Sequence, residues 1–227
     1  MSQKNAPQGG KDNFTRYLVI GVVVAVAAIM IVPTVLSKNK SVSQEIPATV
    51  SADNGYAISF NTEDKTLPVV DIYEDFQCPI CQQFEALNGE YINSLITEKK
   101  AAVRFNVLSF LGAESVRAAN AAACANDEDK FVDFHLGLYA NQPKAENSGE
   151  WSDDRLIAIG EVAGLKSDSF KSCVKEMKYE GWVAKVAAAG SKAGVNSTPT
   201  VFVNGKEIDR NSEYFSADKF KAAVERG

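Results

Sequence analysis

Short apolar runs in the part of the chain beyond residue 55 follow the spacing of β-strands. Alternation of apolar and polar residues, or a continuous apolar run of about 4–8 residues, is typical of a strand in a packed sheet. The runs occupy residues 56–60, 67–73, 102–108, 201–203 and 206–208. The last two flank Asn204-Gly205, a dipeptide that favours a tight hairpin turn. The pattern therefore predicts five strands, the last two of them paired in a hairpin.

Apolar positions three and four residues apart predict helices between and after these strands. One such face runs from Ile80 to Leu95, directly after the strand at 67–73. No strand-like run occurs between 113 and 189, and Ser216 is positioned to cap a last helix. The helices predicted between these limits cover 113–125, a stretch that starts at 127, 152–164 and 167–186. The order of elements predicts an α/β fold with a right-handed β-α-β crossover and a helical insertion at about 113–189.

Residues 17–36 are almost wholly apolar, unlike any other stretch of similar length in the sequence. About twenty such residues span a bilayer as a helix, so we predict one transmembrane anchor here, preceded by a cytoplasmic tail at 1–16. A cleaved signal peptide is the alternative, but its apolar core is shorter, about 7–15 residues. The polar residues 37–55 are predicted to form a flexible linker, which leaves 56–227 for the globular domain.

Composition and charge argue against several classes of function. The 227 residues have a net charge of −5 at neutral pH, an acidic balance that argues against binding nucleic acid. The sequence contains no G-x-G-x-x-G motif, no phosphate-binding loop and no H-E-x-x-H motif. His135 is the single histidine, so a Ser-His-Asp triad would depend on it, and no serine motif accompanies it. We therefore expect no bound cofactor.

Cys78 and Cys81 form a C-x-x-C motif where the strand at 67–73 gives way to a helix. Unpaired N–H groups and the positive end of the helix dipole stabilise a thiolate at such a position. Cys78 is therefore expected to have a lowered pKa and to react in dithiol–disulfide exchange. Half of a zinc site and a small structural disulfide are the alternatives. Zinc would need a second closely spaced ligand pair, whereas Cys124 and Cys173 stand alone, so no metal is predicted.

Thr198 and Pro199 precede the predicted hairpin, and a proline at the mouth of a strand adds a second signal to the C-x-x-C motif. Further motifs are Tyr-Glu-Asp-Phe-Gln-Cys-Pro-Ile-Cys at 73–81, Phe-Val-Asp-Phe-His at 131–135 and Ala-Asn-Gln-Pro at 140–143. With these motifs, residues 56–227 resemble the DsbA-like branch of the thioredoxin superfamily. The resemblance implies a thioredoxin fold with an inserted helical domain.

The resemblance also implies roles for the dithiol and for the loop that faces it. Cys78 is expected to be the exposed attacking thiol and Cys81 the resolving one. Thr198 and Pro199 are expected to face the dithiol and to pair through their backbone with an extended substrate, unless the proline merely starts a strand. Members of the family often carry histidine where this chain has Ile80. Without that hydrogen-bond donor the disulfide is expected to be a milder oxidant.

Glu74 and Asp75 lie directly upstream of the motif and are interpreted as acids that transfer a proton to or from Cys81. Two surface carboxylates at a strand end are the alternative. Thioredoxin-like enzymes carry an acid six positions before the first cysteine, but Ile72 occupies that position here, so that role is not transferred. His135 lies on the apolar face of a predicted helix and is interpreted as a packed structural residue rather than a catalyst.

Cys124 and Cys173 lie on two predicted helices of the insertion. If Cys78 pairs with Cys81, these two cysteines are left for each other. Closing a loop of about fifty residues stabilises a protein by roughly 4 kcal/mol through the entropy of the unfolded chain. Two buried free thiols that pack as small apolar residues are the alternative. We predict the disulfide, on the expectation of an oxidising compartment.

These features together predict a membrane-anchored thiol–disulfide oxidoreductase. It would be single-pass in the cell membrane, with its catalytic domain on the extracytoplasmic side, where cysteine oxidants operate. It would pass the Cys78–Cys81 disulfide to reduced secreted or surface proteins. The resemblance implies a quinone-linked membrane reoxidase, DsbB-like or vitamin K epoxide reductase-like, as its partner. A disulfide reductase or isomerase of the same fold, and a non-catalytic anchored chaperone or binding module, are the alternatives.

Overall fold

The computed structural model of the protein describes residues 42–227. The predicted tail at 1–16 and the predicted membrane anchor at 17–36 lie outside the described residues. Among the helices of residues 42–227, none combines the length and the hydrophobicity that a membrane-spanning helix requires. The anchor at 17–36 therefore stays a prediction.

A mixed five-stranded sheet forms the centre of the domain. Its strands are β1 (Ile58–Phe60), β2 (Val69–Glu74), β3 (Ala102–Val107), β4 (Thr200–Val203) and β5 (Lys206–Glu207). They lie in the order β1-β3-β2-β4-β5, with β2 and β3 parallel and the other neighbouring pairs antiparallel. β1 to β4 fall where apolar runs predict strands, and β5 falls in the second arm of the hairpin predicted around Asn204-Gly205. β2 lies in the middle of the sheet, and its carboxyl end leads into the C-x-x-C motif.

Helices make up most of the remaining chain. They are α1 (Pro79–Thr97), α2 (Ala113–Asn126), α3 (Phe131–Ala140), α4 (Asp153–Val162), α5 (Asp168–Glu176), α6 (Glu180–Lys192), α7 (Arg210–Glu213) and α8 (Ala217–Arg226). α1 is the crossover between the parallel strands β2 and β3. Helices α2 to α6 fill the connection between β3 and β4, where the sequence predicts the helical insertion. The four-residue α7 has no counterpart in the sequence prediction.

The single helix predicted at 167–186 is wrong, because α5 and α6 share this stretch. Met177 ends α5 in the left-handed conformation with φ 54°, and its N–H donates to carbonyls of the last turn, so the chain bends there. The Tyr179 N–H then donates to Asn120 Oδ1 of α2 at 2.7 Å. The apolar period hides this break because residues on both sides of it are buried.

The domain begins earlier in the chain than the polarity pattern predicts. Residues from Val42 onward belong to the same compact unit as the sheet, and Val50 lies in its core. The Gly181 N–H of α6 donates to the Ser43 carbonyl at 3.0 Å. Much of the predicted flexible linker at 37–55 is therefore packed against the domain. The segment is also held by a hydrogen bond from Asn126 Nδ2 to Thr49 Oγ1 at 2.7 Å. Apart from Val50, these contacts are polar, and hydrophobicity does not reveal them.

Aromatic side chains join the sheet to the insertion near the C-x-x-C motif. Phe105 of β3 packs against Phe131 and His135 of α3, with ring centroids 5.1 and 4.8 Å apart. Phe76, between β2 and α1, lies 5.6 Å from His135 and 5.2 Å from Tyr139. All of these rings are buried. The insertion and the sheet therefore share one core beside the motif.

A disulfide joins two helices of the insertion. Cys124 of α2 and Cys173 of α5 are bonded, with a Cα–Cα distance of 5.9 Å, and both residues are buried. The structure thus has the pairing predicted for these cysteines rather than two free thiols.

Candidate active site

The turn between β2 and α1 presents Cys78 at the start of the helix. Cys78 is the N-cap residue of α1, and Pro79 occupies the first helical position, where the fixed φ of proline suits a helix start. The Cys78 N–H donates to the Asp75 carbonyl at 2.9 Å. From the insertion, Gln142 Nε2 donates to the carbonyls of Phe76 and Cys78 at 2.9 and 3.0 Å. Residues far apart in sequence therefore fix the position of Cys78.

The surroundings of Cys78 favour its thiolate. Both cysteines of the motif are free thiols in this structure. A hydrogen bond from the Cys81 side chain is the largest influence, and it lowers the pKa of Cys78 to about 6 although burial opposes the shift. The backbone N–H groups of Cys81 and Ile80 lower this pKa further. Cys78 is therefore mostly ionised at neutral pH, both a nucleophile and a good leaving group.

Cys81 has the opposite character. It lies one turn into α1 and has no exposed surface, and burial raises its pKa well above the ordinary value. The hydrogen bond to Cys78 and the negative charges of Cys78 and Glu74 raise this pKa further. Cys81 therefore stays protonated at a pH where Cys78 is ionised. The lowered pKa of Cys78 suits an attacking thiol, and the raised pKa of Cys81 suits a resolving thiol.

Cys78 is less accessible than the sequence predicts for an attacking thiol. Only 7% of the residue is exposed, and the Thr198 carbonyl lies 3.6 Å from Cys78 Sγ. The Thr198–Pro199 peptide bond is cis, and β4 begins at the next residue. The loop therefore lies against the dithiol. Ile80, in contrast, is 44% exposed and gives the surface beside Cys78 an apolar character.

Arg210 is a residue of this region that has no signal in the sequence pattern. It begins α7, and its guanidinium donates hydrogen bonds to the Pro199 carbonyl and to Ser197 Oγ, the latter at 2.9 Å. A longer contact of 3.4 Å reaches Thr200 Oγ1. Arg210 thus holds the loop that lies against Cys78. No local motif marks this role, because the contacts reach back across the β4–β5 hairpin.

Asp75 is buried and hydrogen-bonded within the turn. Its carboxylate accepts hydrogen bonds from the Gln77 N–H at 2.9 Å, from Ser115 Oγ at 2.7 Å and from the Leu111 N–H at 3.2 Å. Burial raises the pKa of Asp75, and these hydrogen bonds oppose the shift. The alternative of a surface carboxylate is wrong for this residue. Its contacts tie the turn to α2 and to the loop that precedes α2.

Glu74, the last residue of β2, is also fully buried, so it is not a surface carboxylate either. His135 Nε2 of α3 lies 2.5 Å from Glu74 Oε1. The histidine is therefore packed, as predicted, and paired with an acid at the same time.

A second carboxylate, Glu85 of α1, joins this pair, and sequence reasoning missed it. The sequence does contain a sign of its position, because Glu85 lies four residues after Cys81 and therefore on the same, buried face of α1. One donor atom from each of Glu74, Glu85 and His135 falls within 4.8 Å of the others. Among the described residues, this is the group that could hold a metal ion.

Comparison with known proteins gives consistent matches over this domain. The sequence family described as thioredoxin matches residues 63–226. Disulfide bond formation protein D of Bacillus subtilis is 25% identical over 177 residues, which cover 72% of this chain and 73% of that protein. Several further relatives are much longer, and this chain covers about a quarter of their length. One of them is the serine/threonine-protein kinase PknE of Mycobacterium tuberculosis, of which the match covers 26%.

Solved structures extend the comparison to the fold. The MdbA protein of Actinomyces oris, described as a thiol-disulfide oxidoreductase, matches with a TM-score of 0.70 at 24% identity. The match covers 85% of this chain and 97% of that chain. At this identity the match is evidence for a shared fold only. The reduced form of the disulfide bond oxidoreductase DsbG of Mycobacterium tuberculosis matches with a TM-score of 0.63 at 28% identity. That match covers 76% of this chain and 88% of the other.

Proposed function

The chain belongs to the thioredoxin family, in its DsbA-like branch, and from this membership we propose that it introduces disulfides into secreted or surface proteins by exchange at Cys78 and Cys81. It is a thiol–disulfide oxidoreductase. The observation that supports an exchange site most directly is the asymmetry of the dithiol. Cys78 is held as a thiolate at a helix N-terminus, and Cys81 is held as a buried thiol.

In the proposed reaction the Cys78–Cys81 disulfide is the oxidant. A substrate thiolate attacks Cys78 Sγ and forms a mixed disulfide, while the Cys78–Cys81 bond breaks, its electron pair goes to Cys81 and Cys81 takes up a proton. A second substrate thiolate attacks the substrate sulfur of the mixed disulfide, and Cys78 leaves as a thiolate. The substrate loses two electrons and gains a disulfide. The enzyme gains both electrons as the reduced dithiol.

Neighbouring residues support this exchange in two ways. We assign Thr198 and Pro199 to substrate binding, because an extended chain that approaches Cys78 meets their backbone beside Sγ. We assign proton transfer with Cys81 to Glu74, whose charge acts on the Cys81 thiol. Asp75 is the weaker candidate for this role because its carboxylate is already engaged by three hydrogen bonds.

The lowered pKa of Cys78 favours the oxidising direction. A stabilised Cys78 thiolate favours the reduced enzyme and thus makes its disulfide a stronger oxidant. Ile80 offers no side-chain hydrogen bond to that thiolate, which makes the oxidant milder than a member with histidine there. Reduction or isomerisation of substrate disulfides is the second candidate within the same chemistry.

We further propose that the domain works on the extracytoplasmic side of the membrane, held by the predicted anchor at 17–36. A quinone-linked membrane reoxidase, DsbB-like or vitamin K epoxide reductase-like, would restore the Cys78–Cys81 disulfide. The Cys124–Cys173 disulfide supports an oxidising compartment.

The test uses the full-length protein in detergent and a reduced, unfolded secreted protein as substrate. We expect the oxidised enzyme to transfer its disulfide and Cys78→Ser to abolish the transfer. Cys81→Ser, mixed with the disulfide-bonded form of the same substrate, should trap a mixed disulfide, because Cys78 attacks the substrate disulfide and no resolving thiol follows. A Cys78–Cys81 reduction potential above that of the glutathione couple supports the oxidase. A Cys78–Cys81 potential far below that of the glutathione couple favours the reductase. A Cys78→Ser variant that keeps the activity of the wild-type protein favours the binding module.

A further inference from the structure

One glutamine of the insertion spans the turn that carries the dithiol. Gln142 follows the end of α3 and belongs to the Ala-Asn-Gln-Pro motif at 140–143. Its Nε2 donates to the carbonyls of Phe76 and Cys78 at 2.9 and 3.0 Å. A primary amide has two N–H groups, so both of them serve this turn. The two carbonyls lie on either side of the Gln77–Cys78 peptide bond, and a single side chain therefore fixes both ends of that bond.

The turn needs these donors because it is buried. Phe76 is 1% exposed and Cys78 is 7% exposed, and a buried carbonyl that loses its hydrogen bond costs free energy. The Cys78 carbonyl also accepts from the Gln82 N–H of α1 at 3.1 Å. One of its donors thus comes from its own helix and the other from the insertion. The position of the N-cap residue is therefore set jointly by α1 and by Gln142.

Gln142 is itself held in place by its neighbours. A guanidinium N–H of Arg155 in α4 donates to the Asn141 carbonyl at 2.7 Å, which fixes the backbone directly before Gln142. In return, Gln82 Nε2 of α1 donates to the Tyr139 carbonyl in the last turn of α3 at 2.9 Å. The end of α3 and the start of α1 are therefore joined by amide hydrogen bonds in both directions.

The connection between α3 and α4 also holds the turn from a second side. Gln77, directly before Cys78, is 4% exposed. Its Oε1 accepts from the Asn147 N–H at 2.7 Å, and its Nε2 donates to Ser115 Oγ of α2 at 2.9 Å. Residues 141–147 thus run along the turn and bond to it at both ends of that stretch. The insertion fixes the approach to Cys78 as well as Cys78 itself.

The stabilisation of the Cys78 thiolate depends on where this turn lies. Cys78 has an extended backbone with φ −72° and ψ 116°, the conformation that lets an N-cap side chain accept from the first turn of its helix. In this position Cys78 Sγ accepts from the Cys81 N–H at 3.4 Å. Such contacts weaken steeply as their geometry departs from the best one. A small shift of the turn is therefore enough to change the chemistry of the thiol.

We propose that Gln142 is a positioning residue for disulfide exchange, through which the helical insertion keeps Cys78 over the N-terminus of α1. The proposal rests on the exchange function above and adds a residue that acts through the backbone of Cys78. In the reduced enzyme Gln142 favours the Cys78 thiolate. Without Gln142 part of that stabilisation is lost, so the reduced form is less favoured and the disulfide becomes a weaker oxidant.

Gln142→Met in the full-length protein tests this role, because methionine keeps the length of the side chain and removes both donors. In the reduced protein the alkylation midpoint of Cys78 should rise from about 6 to about 7, the size of one weakened hydrogen bond. The equilibrium constant for reduction of the enzyme by glutathione at pH 7 should fall about fivefold. This corresponds to about 20 mV, since tenfold is about 30 mV for a two-electron couple.

Matched variants separate positioning from a general effect on the fold. Gln83 is exposed on the same helix as the dithiol, so Gln83→Met should keep the wild-type midpoint and equilibrium. Gln142→Glu sets a carboxylate against the two carbonyls and should raise the Cys78 midpoint further than Gln142→Met does.

The outcomes also distinguish this proposal from the proposed function. Gln142→Met and Gln142→Glu proteins that melt earlier but keep the wild-type midpoint and glutathione equilibrium show a structural role alone and overturn the proposal. Exchange at Cys78 would still stand in that case. A wild-type protein whose Cys78–Cys81 pair does not equilibrate with glutathione overturns the proposed function instead.

A measurement on the wild-type protein does not depend on how well a variant folds. In nitrogen-15 NMR spectra of the reduced protein, the side-chain amide protons of Gln142 should exchange with water more slowly than those of Gln83, because both are hydrogen-bonded to buried carbonyls. Amide protons of Gln142 that exchange as fast as those of Gln83 overturn the proposal.

Discussion

The two cysteines of the motif acquire different properties from one hydrogen bond and one difference in burial. Cys81 donates to Cys78, which lowers the pKa of Cys78 and adds to the raised pKa of Cys81. The helix start contributes through its backbone N–H groups. Reactivity at one thiol therefore depends directly on the presence of the other.

Alkylation measures this dependence at the level of single residues. In the reduced protein we expect Cys78 to react with iodoacetamide with a midpoint near pH 6, and Cys81 to stay unmodified. Cys81→Ala removes the strongest influence on Cys78, so the midpoint should rise toward the value of about 8.5 for free cysteine. Rates are read by mass spectrometry. Preferential labelling of Cys81, or a wild-type midpoint near 8.5, would contradict the assigned roles.

Sequence reasoning located Cys78 correctly because a strand followed by a helix leaves the first cysteine at the N-cap. It could not show that Glu74 is buried, since a residue at a strand end is exposed or covered according to what packs on it. Glu85 was missed although its helical spacing from Cys81 is visible. The other two members of the cluster, Glu74 and His135, come from other elements, and only the fold brings the three together.

At the level of elements, the apolar period predicted the strands and the main helices but not the break at Met177. Periodicity measures which side of the chain is buried, and the buried side stays the same across that bend. The segment before Tyr56 was mistaken for linker because most of its contacts are polar, such as the hydrogen bond from the Gly181 N–H to the Ser43 carbonyl.

The short helix α7 should control the loop beside the dithiol. Arg210→Gln removes the guanidinium that bonds the Pro199 carbonyl and Ser197 Oγ. We expect slower transfer to a protein substrate by about tenfold, which corresponds to roughly 1.4 kcal/mol and is typical of one charge-assisted hydrogen bond. The KM for that substrate should change more than the reduction potential.

A second arginine near α7 provides the control. Arg226 bonds Glu213 at 2.7 Å and does not contact the loop in this way, so Arg226→Gln should leave substrate transfer unchanged. Equal effects of the two substitutions would show that α7 matters for stability alone.

At the level of the whole molecule, the insertion and the sheet share a core, but the disulfide belongs to the insertion alone. We expect Cys124→Ala/Cys173→Ala to lower the free energy of unfolding by about 2–5 kcal/mol. Thermal unfolding should then begin several degrees lower. The Cys78–Cys81 potential should stay nearly unchanged. Mass mapping that joins either residue to Cys78 or Cys81 would make the second pair a relay and contradict this separation.

Membrane attachment is tested on cells. If residues 17–36 are an uncleaved anchor, the full-length chain should remain in the membrane fraction after salt and carbonate washes, because about twenty apolar residues suffice to span a bilayer. The C-terminal domain should be open to external protease. A mature protein that begins near Lys38 would show that a signal peptide was removed instead.

The glycine in the middle of α1 has a consequence for protein engineering. A helical glycine is an obvious target for stabilisation, since alanine is favoured by about 1 kcal/mol in a helix interior. At Gly89 the added methyl group would meet Glu85 Oε2 at 3.0 Å and Leu136 Cδ2 at 3.3 Å. Overpacking of this kind costs about 1–3 kcal/mol, which offsets or exceeds the gain in helix propensity, so Gly89→Ala is expected to leave the melting temperature unchanged or to lower it. A stabilisation scheme that replaces helical glycines by alanine on propensity alone should therefore leave this position out.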